Sequence, residues 1–300
     1  MMHFESPLQP EAEKLSVKEQ LCSLKGAEIK DLEVNPEREI LKGKDVFMIE
    51  VTDKDVFQTQ AEIEKMVGPF GKVVFNEFEP KENPRSYDAG NPEMAKNAAE
   101  LIEFNICHSD RIIVVSEGDK IIGFFAIEFL PMENGSRAAY VALTMVDGQE
   151  QKKGYNKEMY NLAFEQRDVS AFVGISFVPQ AVSNRLKIGN ENGYDGFFCG
   201  FKNGVRGDLG SPEEQAKVEE LSRMMVDKSI EEKVLINGDI PKGYVVWQKA
   251  LAMDPIRKED VNFSPGNPLT ETYEKELLPT QEKYAPDTVY GILINLKRNN

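Results

Sequence analysis

The 300-residue chain has an ordinary globular composition, with 41% hydrophobic and 29% charged residues, which is enough apolar material for a sizeable core. Its formal net charge of −15 argues against a nucleic-acid backbone or an anionic membrane as the principal partner. The acidity is compatible with a cationic substrate, such as a lysine, a polyamine or an amino sugar, and it also serves solubility.

The cysteines and histidines limit the chemistry further. Three cysteines lie far apart, at Cys22, Cys107 and Cys199, and favour a reducing compartment over a disulfide framework, so we predict a cytoplasmic protein. With only His3 and His108 present, we expect no metal site. The N-terminus has no apolar stretch typical of a signal peptide, and no segment approaches the ~20 apolar residues of a membrane span.

The N-terminal third alternates between polar segments and short apolar runs. Residues 1–40 are polar and charged and predict an N-terminal arm. The apolar run at 45–51 predicts a first strand, and a helix over 60–67 is expected to end before a glycine–proline pair. The β-rich composition of residues 72–78 predicts another strand, and the prolines of residues 80–92 predict a loop.

Residues 91–202 carry a regular succession of helices and strands. Asn91 followed by Pro92 combines an N-cap residue with a proline in the first turn, which starts a helix. The apolar runs that follow predict strands, and the longer amphipathic segments predict helices. The predicted strands are 111–116, 120–130, 140–146, 171–178 and 197–202, and the later helices are 152–166 and 179–190.

One corner within this succession is suited to bind a phosphate. The strand at 140–146 leads into the tight turn 151–156, of sequence Gln-Lys-Lys-Gly-Tyr-Asn, which opens a helix. The start of a helix has free backbone N–H groups and a partial positive charge, and both favour an anion. Gly154 lets a ligand approach the backbone where a Cβ would obstruct it. A plain strand–turn–helix corner without a ligand is the alternative.

Gln151, Gly154 and Tyr155 stand as they do in a known signature. The block resembles the acetyl-CoA signature of the GNAT superfamily of N-acetyltransferases, Gln/Arg-x-x-Gly-x-Gly/Ala after a strand, although Asn156 stands where the family has Gly or Ala. The resemblance covers roughly residues 91–202. It implies an α+β (mixed α/β) fold with a central, mostly antiparallel twisted sheet and helices on both faces. In that family two neighbouring strands splay apart, and the pantetheine arm of acetyl-CoA lies in the resulting V.

The last 90 residues lie outside this resemblance. Ser211 and Pro212 begin a helix, with a glutamate three residues after the serine completing a capping box. Residues 243–251 and 288–296 each predict a strand, and residues 254–287 predict a loop. We therefore expect an N-terminal arm (1–40), a GNAT-like acyltransferase core (41–210) and a C-terminal extension (211–300) that packs on the core and completes it.

The resemblance also implies a set of cofactor-binding residues. The strand would offer its backbone to pantetheine, and the turn would offer N–H groups to the pyrophosphate. Asn184 and Lys187 on the second helix would reach the far end of the cofactor. The implied residues are Thr144, Met145, Val146, Gln151, Lys152, Lys153, Gly154, Tyr155, Asn156 and Asn184.

Amide formation from a thioester requires a neutral amine, whereas a lysine-like amine has a reference pKa of about 10.4, so a base is needed. Glu128 is a candidate base, with Asp147 and Glu150 as alternatives. Tyr140 occupies the position of a glutamate found in some family members. In the family a tyrosine acts as the general acid. This chain has no tyrosine at the corresponding position, and Tyr194, just after the second helix, is the candidate instead. No covalent enzyme intermediate is required, which fits the scarcity of Cys and His.

The resemblance implies an acyl-CoA-dependent N-acyltransferase that moves an acetyl or small acyl group to an amine by direct attack in a ternary complex. The acceptor would be a small-molecule or peptide amine of cationic character. The alternative is a GNAT-like scaffold without transfer activity that acts as a CoA-binding or interaction module. A third option is that the C-terminal extension builds an acceptor site for a larger amine or peptide.

Overall fold

The computed structural model describes residues 15–78, 87–88, 90–166, 168–176, 178–247, 267–285 and 287–298. These residues form one central sheet. Its strands are β1 (Ala27–Asp31), β2 (Asp45–Val51), β3 (Arg111–Glu117), β4 (Lys120–Pro131), β5 (Arg137–Val146), β6 (Ala171–Ser176), β7 (Tyr194–Phe198), β8 (Phe201–Lys202), β9 (Leu235–Asp239), β10 (Tyr244–Trp247) and β11 (Thr288–Lys297).

The strand order along the sheet is β1-β2-β3-β4-β5-β6-β11-β10-β9, and β7 pairs with both β11 and β8. Among the described residues every pair is antiparallel except β5 with β6, which is parallel. The predicted α+β class with a mostly antiparallel sheet is therefore confirmed.

Helices cover both faces of this sheet. They are α1 (Val17–Leu21), α2 (Lys54–Phe57), α3 (Gln60–Phe78), α4 (Pro92–Asn105), α5 (Tyr155–Phe164), α6 (Pro179–Glu191), α7 (Pro212–Glu231), α8 (Leu269–Thr272) and α9 (Leu278–Tyr284), with a π-helical stretch, Tyr273–Leu277, between the last two. Successive residues of a strand point to opposite faces. Accordingly, Val114 packs in a cluster with α3 and α4, whereas Ile113 packs in a cluster with α5.

The helix α3 corrects two of the sequence predictions. It continues through Pro69 to Phe78, so the predicted helix end before the glycine–proline pair and the predicted strand at 72–78 are both wrong. Phe70, Val73 and Val74 are buried at helical spacing in the cluster that covers the sheet. Burial of this face outweighs the β-propensity of the valines, which is a weak and context-dependent preference.

The segment after α6 contributes more to the sheet than the sequence indicated. The predicted strand at 288–296 is confirmed as β11, which pairs with β6 along one edge and with β7 and β10 along the other. The predicted strand at 243–251 is described only as far as Trp247, where it forms β10. The loop predicted over 254–287 is wrong for α8 to α9, because that stretch is helical; residues 254–266 lie outside the described residues.

The N-terminal segment also takes part in the sheet. The strand β1 pairs with β2 over its whole length, from Ala27 opposite Val51 to Asp31 opposite Phe47. The first 14 residues of the predicted arm, and residues 80–86 and 89 of the predicted proline-rich loop, lie outside the described residues.

Candidate functional site

The parallel strands β5 and β6 stay together only at one end. Their pairing covers Ala138 to Tyr140 on β5 and Ala171 to Val173 on β6. Beyond these residues β5 continues to Val146 without bonding to β6. Hydrogen-bonded strands lie about 4.8 Å apart, so the end of pairing is where two strands can diverge. The β5–β6 ladder is therefore open from Val141 and Gly174 onward, and we call this unpaired stretch in the middle of the sheet the V.

A bulge in β5 lies beside this opening. The register with β4 passes from Val141 opposite Ile127 to Leu143 opposite Ala126, so Ala142 has no counterpart in the ladder. Bulges re-aim the side chains that follow them and often lie next to functional sites. Here Val141 belongs to the cluster under α5, whereas Leu143 belongs to the cluster under α3 on the other face.

The strand β5 ends at the turn that opens α5. Gly154, with φ 101°, is the N-cap residue of α5. It forms no side-chain hydrogen bond to the free amides of the first turn. The first N–H groups of a helix have no partner within the helix, so an uncapped start presents them to a ligand. The side chains of the turn from Gln151 to Gly154 are exposed and leave this corner open. Near Gly154, the ideal Cβ position is 3.5 Å from Ile40 Cδ1, an ordinary contact from the N-terminal segment.

A cavity of about 500 Å³ extends from this corner along β5 and between α5 and α6. The cavity joins the strand end, the turn and the second helix. It is lined by Thr144, Met145, Val146, Glu150, Gln151, Lys152, Gly154, Tyr155, Asn156, Lys157, Asn184, Lys187, Ile188 and Glu191. This set includes every predicted cofactor-binding residue except Lys153, whose ammonium donates to Glu150 at 2.8 Å.

Two polar atoms of the cavity wall are buried without a hydrogen-bond partner among the described residues. They are the hydroxyl oxygen Oγ1 of Thr144 and the amide oxygen Oδ1 of Asn156. An unsatisfied buried polar group costs about 1–3 kcal/mol, so such groups are rare unless a ligand or water completes them. The cavity therefore has polar groups as well as helix amides that a bound molecule can satisfy.

The sequence analysis did not assign Lys157, Ile188 or Glu191 to the site. Together with Asn184 and Lys187, the last two form one stripe of α6 that faces the cavity. Residues three and four positions apart lie on one face of a helix. Once Asn184 was assigned to the site, this spacing could therefore have pointed to Ile188 and Glu191. Lys157 lies in the first turn of α5, where its charge adds to the partial positive charge of the helix start.

The candidate base and the tyrosine opposite it lie outside the cavity wall. Glu128 and Tyr140 are paired in the β4–β5 register, on the sheet face covered by α7. The Glu128 carboxylate accepts a hydrogen bond from the Lys228 ammonium at 2.7 Å, and that ammonium is 5.0 Å from the centre of the Tyr140 ring. Burial raises the pKa of Tyr140 well above its usual range. The alternative base Asp147 is buried and 3.4 Å from the Lys72 ammonium.

Tyr194 lies deeper in the protein. Its ring packs against Phe164 and Phe172 under the sheet, and its hydroxyl donates to the carbonyl oxygen of Phe164 at 3.3 Å. Burial raises the pKa of Tyr194 to about 12. The structure thus places Tyr194 in the hydrophobic core and not among the residues that line the cavity.

No family model and no curated protein matches the sequence. The structure, by contrast, has the expected order of strands and helices. It also has the V between β5 and β6 and the open start of α5. The fold resembles that of the GNAT acetyltransferases. Similar solved structures include a GNAT-family acetyltransferase from Bacillus cereus, at 14% identity over 50% of this chain and 82% of that one, with a TM-score of 0.28.

A second similar structure is diaminobutyrate acetyltransferase from Paenibacillus lautus, bound to L-2,4-diaminobutyric acid and coenzyme A; it is 11% identical over 53% of this chain and 83% of that one, with a TM-score of 0.30. A third is an acetoin utilization protein from Exiguobacterium sibiricum, at 12% identity over 67% and 98% of the two chains, with a TM-score of 0.34. With identities and TM-scores this low, the likeness concerns the fold alone.

Two further features bear on the kind of site. In the described part of the chain no helix has the length and apolar character needed to cross a membrane. Within the same residues, no group of three or more His, Cys, Asp or Glu side chains is placed to hold a metal ion.

Proposed function

We propose that this protein is an acyl-CoA-dependent N-acyltransferase, which moves an acetyl or another small acyl group to an amine by direct attack in a ternary complex. One observation carries the proposal: the uncapped start of α5, at Gly154, opens into a cavity that continues along β5 to the V. A diphosphate and a long, narrow amide-bearing arm are the ligand parts that suit these two regions.

The cavity residues divide the binding between them. The amides of Gly154, Tyr155 and Asn156 would hold the pyrophosphate at the helix start. Lys152 and Lys187, at the two sides of the cavity, would add positive charge toward the remaining phosphate. The backbone of β5 from Thr144 to Val146 would pair with the amides of the pantetheine arm, as an added strand would. Lys153 would contribute through the general charge of the turn.

The chemistry needs an acceptor side as well. Tyr140 stands at the closed end of the V with Glu128 beside it, which supports Glu128 as the base and Tyr140 as a neighbour of the reacting amine. For this role Lys228 has to release the Glu128 carboxylate, directly or through exchange with the incoming ammonium. Tyr194 is a weaker candidate for the acid, because its hydroxyl is already bonded to a backbone carbonyl in the core.

A small-molecule or peptide amine is the acceptor that fits this arrangement. A cationic acceptor is favoured by the net charge of −15 and by the carboxylates Glu128 and Glu232 on the face opposite the cavity. The C-terminal extension, residues 211–300, supplies α7 to this face and would shape the acceptor site. The free thiols of the three cysteines support a reducing compartment such as the cytoplasm.

Isothermal titration with acetyl-CoA and with CoA tests the proposal. We expect both to bind with dissociation constants in the micromolar range, and release of free thiol from acetyl-CoA in the presence of a suitable amine. Absence of binding by either compound at high micromolar concentration would end the proposal.

A second candidate is a CoA-binding or interaction module without transfer activity. It is favoured by one observation, namely that Glu128, Tyr140 and Tyr194 all lie outside the cavity wall. Incubation of acetyl-CoA with a panel of amines separates the two candidates. Thiol release above the hydrolysis background excludes the module, whereas tight CoA binding without any turnover supports it.

A further inference from the structure

Arg185 is a buried cation on the sheet-facing side of α6, with 3% of its surface exposed. Its Nε donates to Oδ1 of Asn295 at 3.0 Å, while its Nη2 has no hydrogen-bond partner among the described residues. No described carboxylate forms an ion pair with it, and burial lowers the pKa of Arg185. A guanidinium nevertheless stays protonated in proteins, so the fold encloses a positive charge without a counter-ion.

This arrangement is energetically unfavourable in the free protein. Removing a charge from water costs several kcal/mol unless an opposite charge and hydrogen bonds compensate for the lost hydration. Asn295 supplies one neutral acceptor, which is not a counter-charge. The unpaired guanidinium therefore points to an anion that is present only when a ligand is bound.

The position of Arg185 identifies the part of the ligand that it meets. Its Nη1 is 2.8 Å from the place that a Cβ on Gly174 would take, and that place is 3.5 Å from the Cβ of Val141. Val141 and Gly174 directly follow the last paired residues of β5 and β6, so the guanidinium lies at the closed end of the V. It is also on the face of the sheet that carries the cavity, because its neighbours on α6, Asn184 and Ile188, line that cavity. Arg185 itself is not a lining residue and lies beyond Thr144, where the lining of the cavity by β5 ends.

A donor bound as proposed would run from the phosphate corner toward this point. From Val146, next to the corner, to Val141 the partner strand β4 advances four residues, from Gly123 to Ile127, because Ala142 is bulged; this is about 14 Å. The phosphates occupy one end of this path, the pantetheine arm follows β5, and the acyl group comes last. The acyl end is thus the part of the donor nearest to Arg185.

We propose that Arg185 ends the donor channel and binds a carboxylate at the far end of the acyl group, so that the preferred donor is the CoA thioester of a short dicarboxylic acid. This inference rests on the proposed function and names its donor class. In the transfer, the amine nitrogen bonds to the thioester carbonyl carbon as the C–S bond breaks. The amine proton passes to the departing thiolate through the base, giving an amide and free CoA, and the distal carboxylate is unchanged.

Binding of matched thioesters to the wild-type protein tests this directly and needs no acceptor. Succinyl-CoA and butyryl-CoA have four acyl carbons each and differ in the terminal carboxylate. We expect succinyl-CoA to bind at least about tenfold more tightly, because a charge-assisted bidentate pair replaces an unpaired buried cation. Malonyl-CoA and glutaryl-CoA, with one acyl carbon fewer and one more than succinyl-CoA, then measure how far from the thioester the carboxylate has to lie. Equal or tighter binding of butyryl-CoA would overturn the inference.

Substitutions test whether Arg185 causes the preference for succinyl-CoA over butyryl-CoA. Arg185→Gln should reduce the ratio of succinyl-CoA to butyryl-CoA affinity to within about threefold, and Arg185→Lys should keep part of it. Asn295→Asp places a carboxylate beside the guanidinium, so it should raise the melting temperature and also remove the preference. Arg223→Gln removes the same charge from the exposed face of α7 and should leave the ratio unchanged.

These outcomes separate the inference from the proposed function. If CoA binds and the two thioesters bind equally, the donor class is wrong and the acyltransferase proposal stands. If neither CoA nor any thioester binds, the acyltransferase proposal fails and the donor class fails with it. If Arg185→Gln does not fold, the wild-type ratio and Asn295→Asp still decide. An Asn295→Asp variant that becomes more stable yet keeps its preference would show Arg185 to be structural only.

Discussion

Tyr140 and Val173 are the last paired residues of β5 and β6, and the two strands separate immediately beyond them. The closed end of the V is flanked by a cation on each face of the sheet. On the face of Tyr140, Lys228 is neutralised by Glu128 at 2.7 Å and by Glu232 at 3.5 Å. On the opposite face, Arg185 has no such partner among the described residues. The two faces therefore differ in charge at the point where donor and acceptor would meet.

Substitution of Gly154 by alanine tests the phosphate corner. Gly154 has φ 101°, a conformation that costs an L-residue about 1 kcal/mol or more, so relaxation would turn the first amides of α5 away. We expect CoA affinity to fall by about tenfold or more, measured by calorimetry. Gly148→Ala is the matched control in the same connection between β5 and α5, since Gly148 has no positive φ and open space around its Cβ position. Unchanged affinity in Gly154→Ala would place the phosphates elsewhere.

The hydroxyl of Thr144 provides a test with opposite effects on stability and binding. Thr144→Val removes a buried oxygen that has no partner among the described residues, so the free protein should become more stable by about 1 kcal/mol. The same change should weaken CoA binding if the hydroxyl bonds to the ligand. Thr272→Val is the control, because the Thr272 hydroxyl donates to the Gly204 carbonyl and its loss should destabilise the protein. Denaturant unfolding with and without CoA measures both effects. A loss of stability in Thr144→Val would contradict the assignment.

Gly189 should resist the usual benefit of alanine in a helix. Gly→Ala in a helix interior normally stabilises by about 0.5–1 kcal/mol. At Gly189, however, a Cβ would lie 2.3 Å from Nδ2 of Asn295, so Gly189→Ala should destabilise by about 1–3 kcal/mol through overpacking. Gly68→Ala in α3 is the comparison: its nearest non-adjacent neighbour is an ordinary contact at 3.8 Å, so it should cost less than Gly189→Ala even though Pro69 disfavours a Cβ on the residue before it. Stabilisation by Gly189→Ala would show that Asn295 is free to move.

Because the pKa of Glu232 is raised, we expect the free energy of unfolding to depend on pH. Burial raises the pKa of Glu232 above its ordinary value of 4.5, against the opposing effect of Lys228. Because the pKa of Glu232 is higher in the folded than in the unfolded protein, its neutral form adds to the free energy of unfolding. This contribution is complete below pH 4.5 and is lost as pH rises through the folded-state pKa. Glu232→Gln should therefore stabilise the protein at pH 7 relative to wild type, and this advantage should disappear toward pH 4. Urea unfolding at the two pH values measures it; a destabilised variant at pH 7 would mean that the Lys228 pair dominates.

Local sequence patterns determined the elements between Asn91 and Lys202 and the signature corner. The apolar runs of β3 to β5, the Asn-Pro start of α4 and the turn at Gly154 each depend on neighbours within a few residues. The residues predicted from that signature accordingly line one cavity, with Lys153 as the exception. The same local reasoning failed at residues 72–78, where burial of one helix face outweighs a β-rich composition.

Only the tertiary structure decided what depends on partners distant in sequence. The family resemblance implied that two strands splay apart, but the sequence did not indicate where the β5–β6 pairing ends or that β11 lies in the centre of the sheet. The contact of Arg185 with Asn295 spans 110 residues, and that of Glu128 with Lys228 spans 100. Hydrogen-bond pairing and burial between remote segments carry no local periodicity. The composition therefore established an acidic globular chain, while the charges at the closed end of the V became visible only when the strands were brought together.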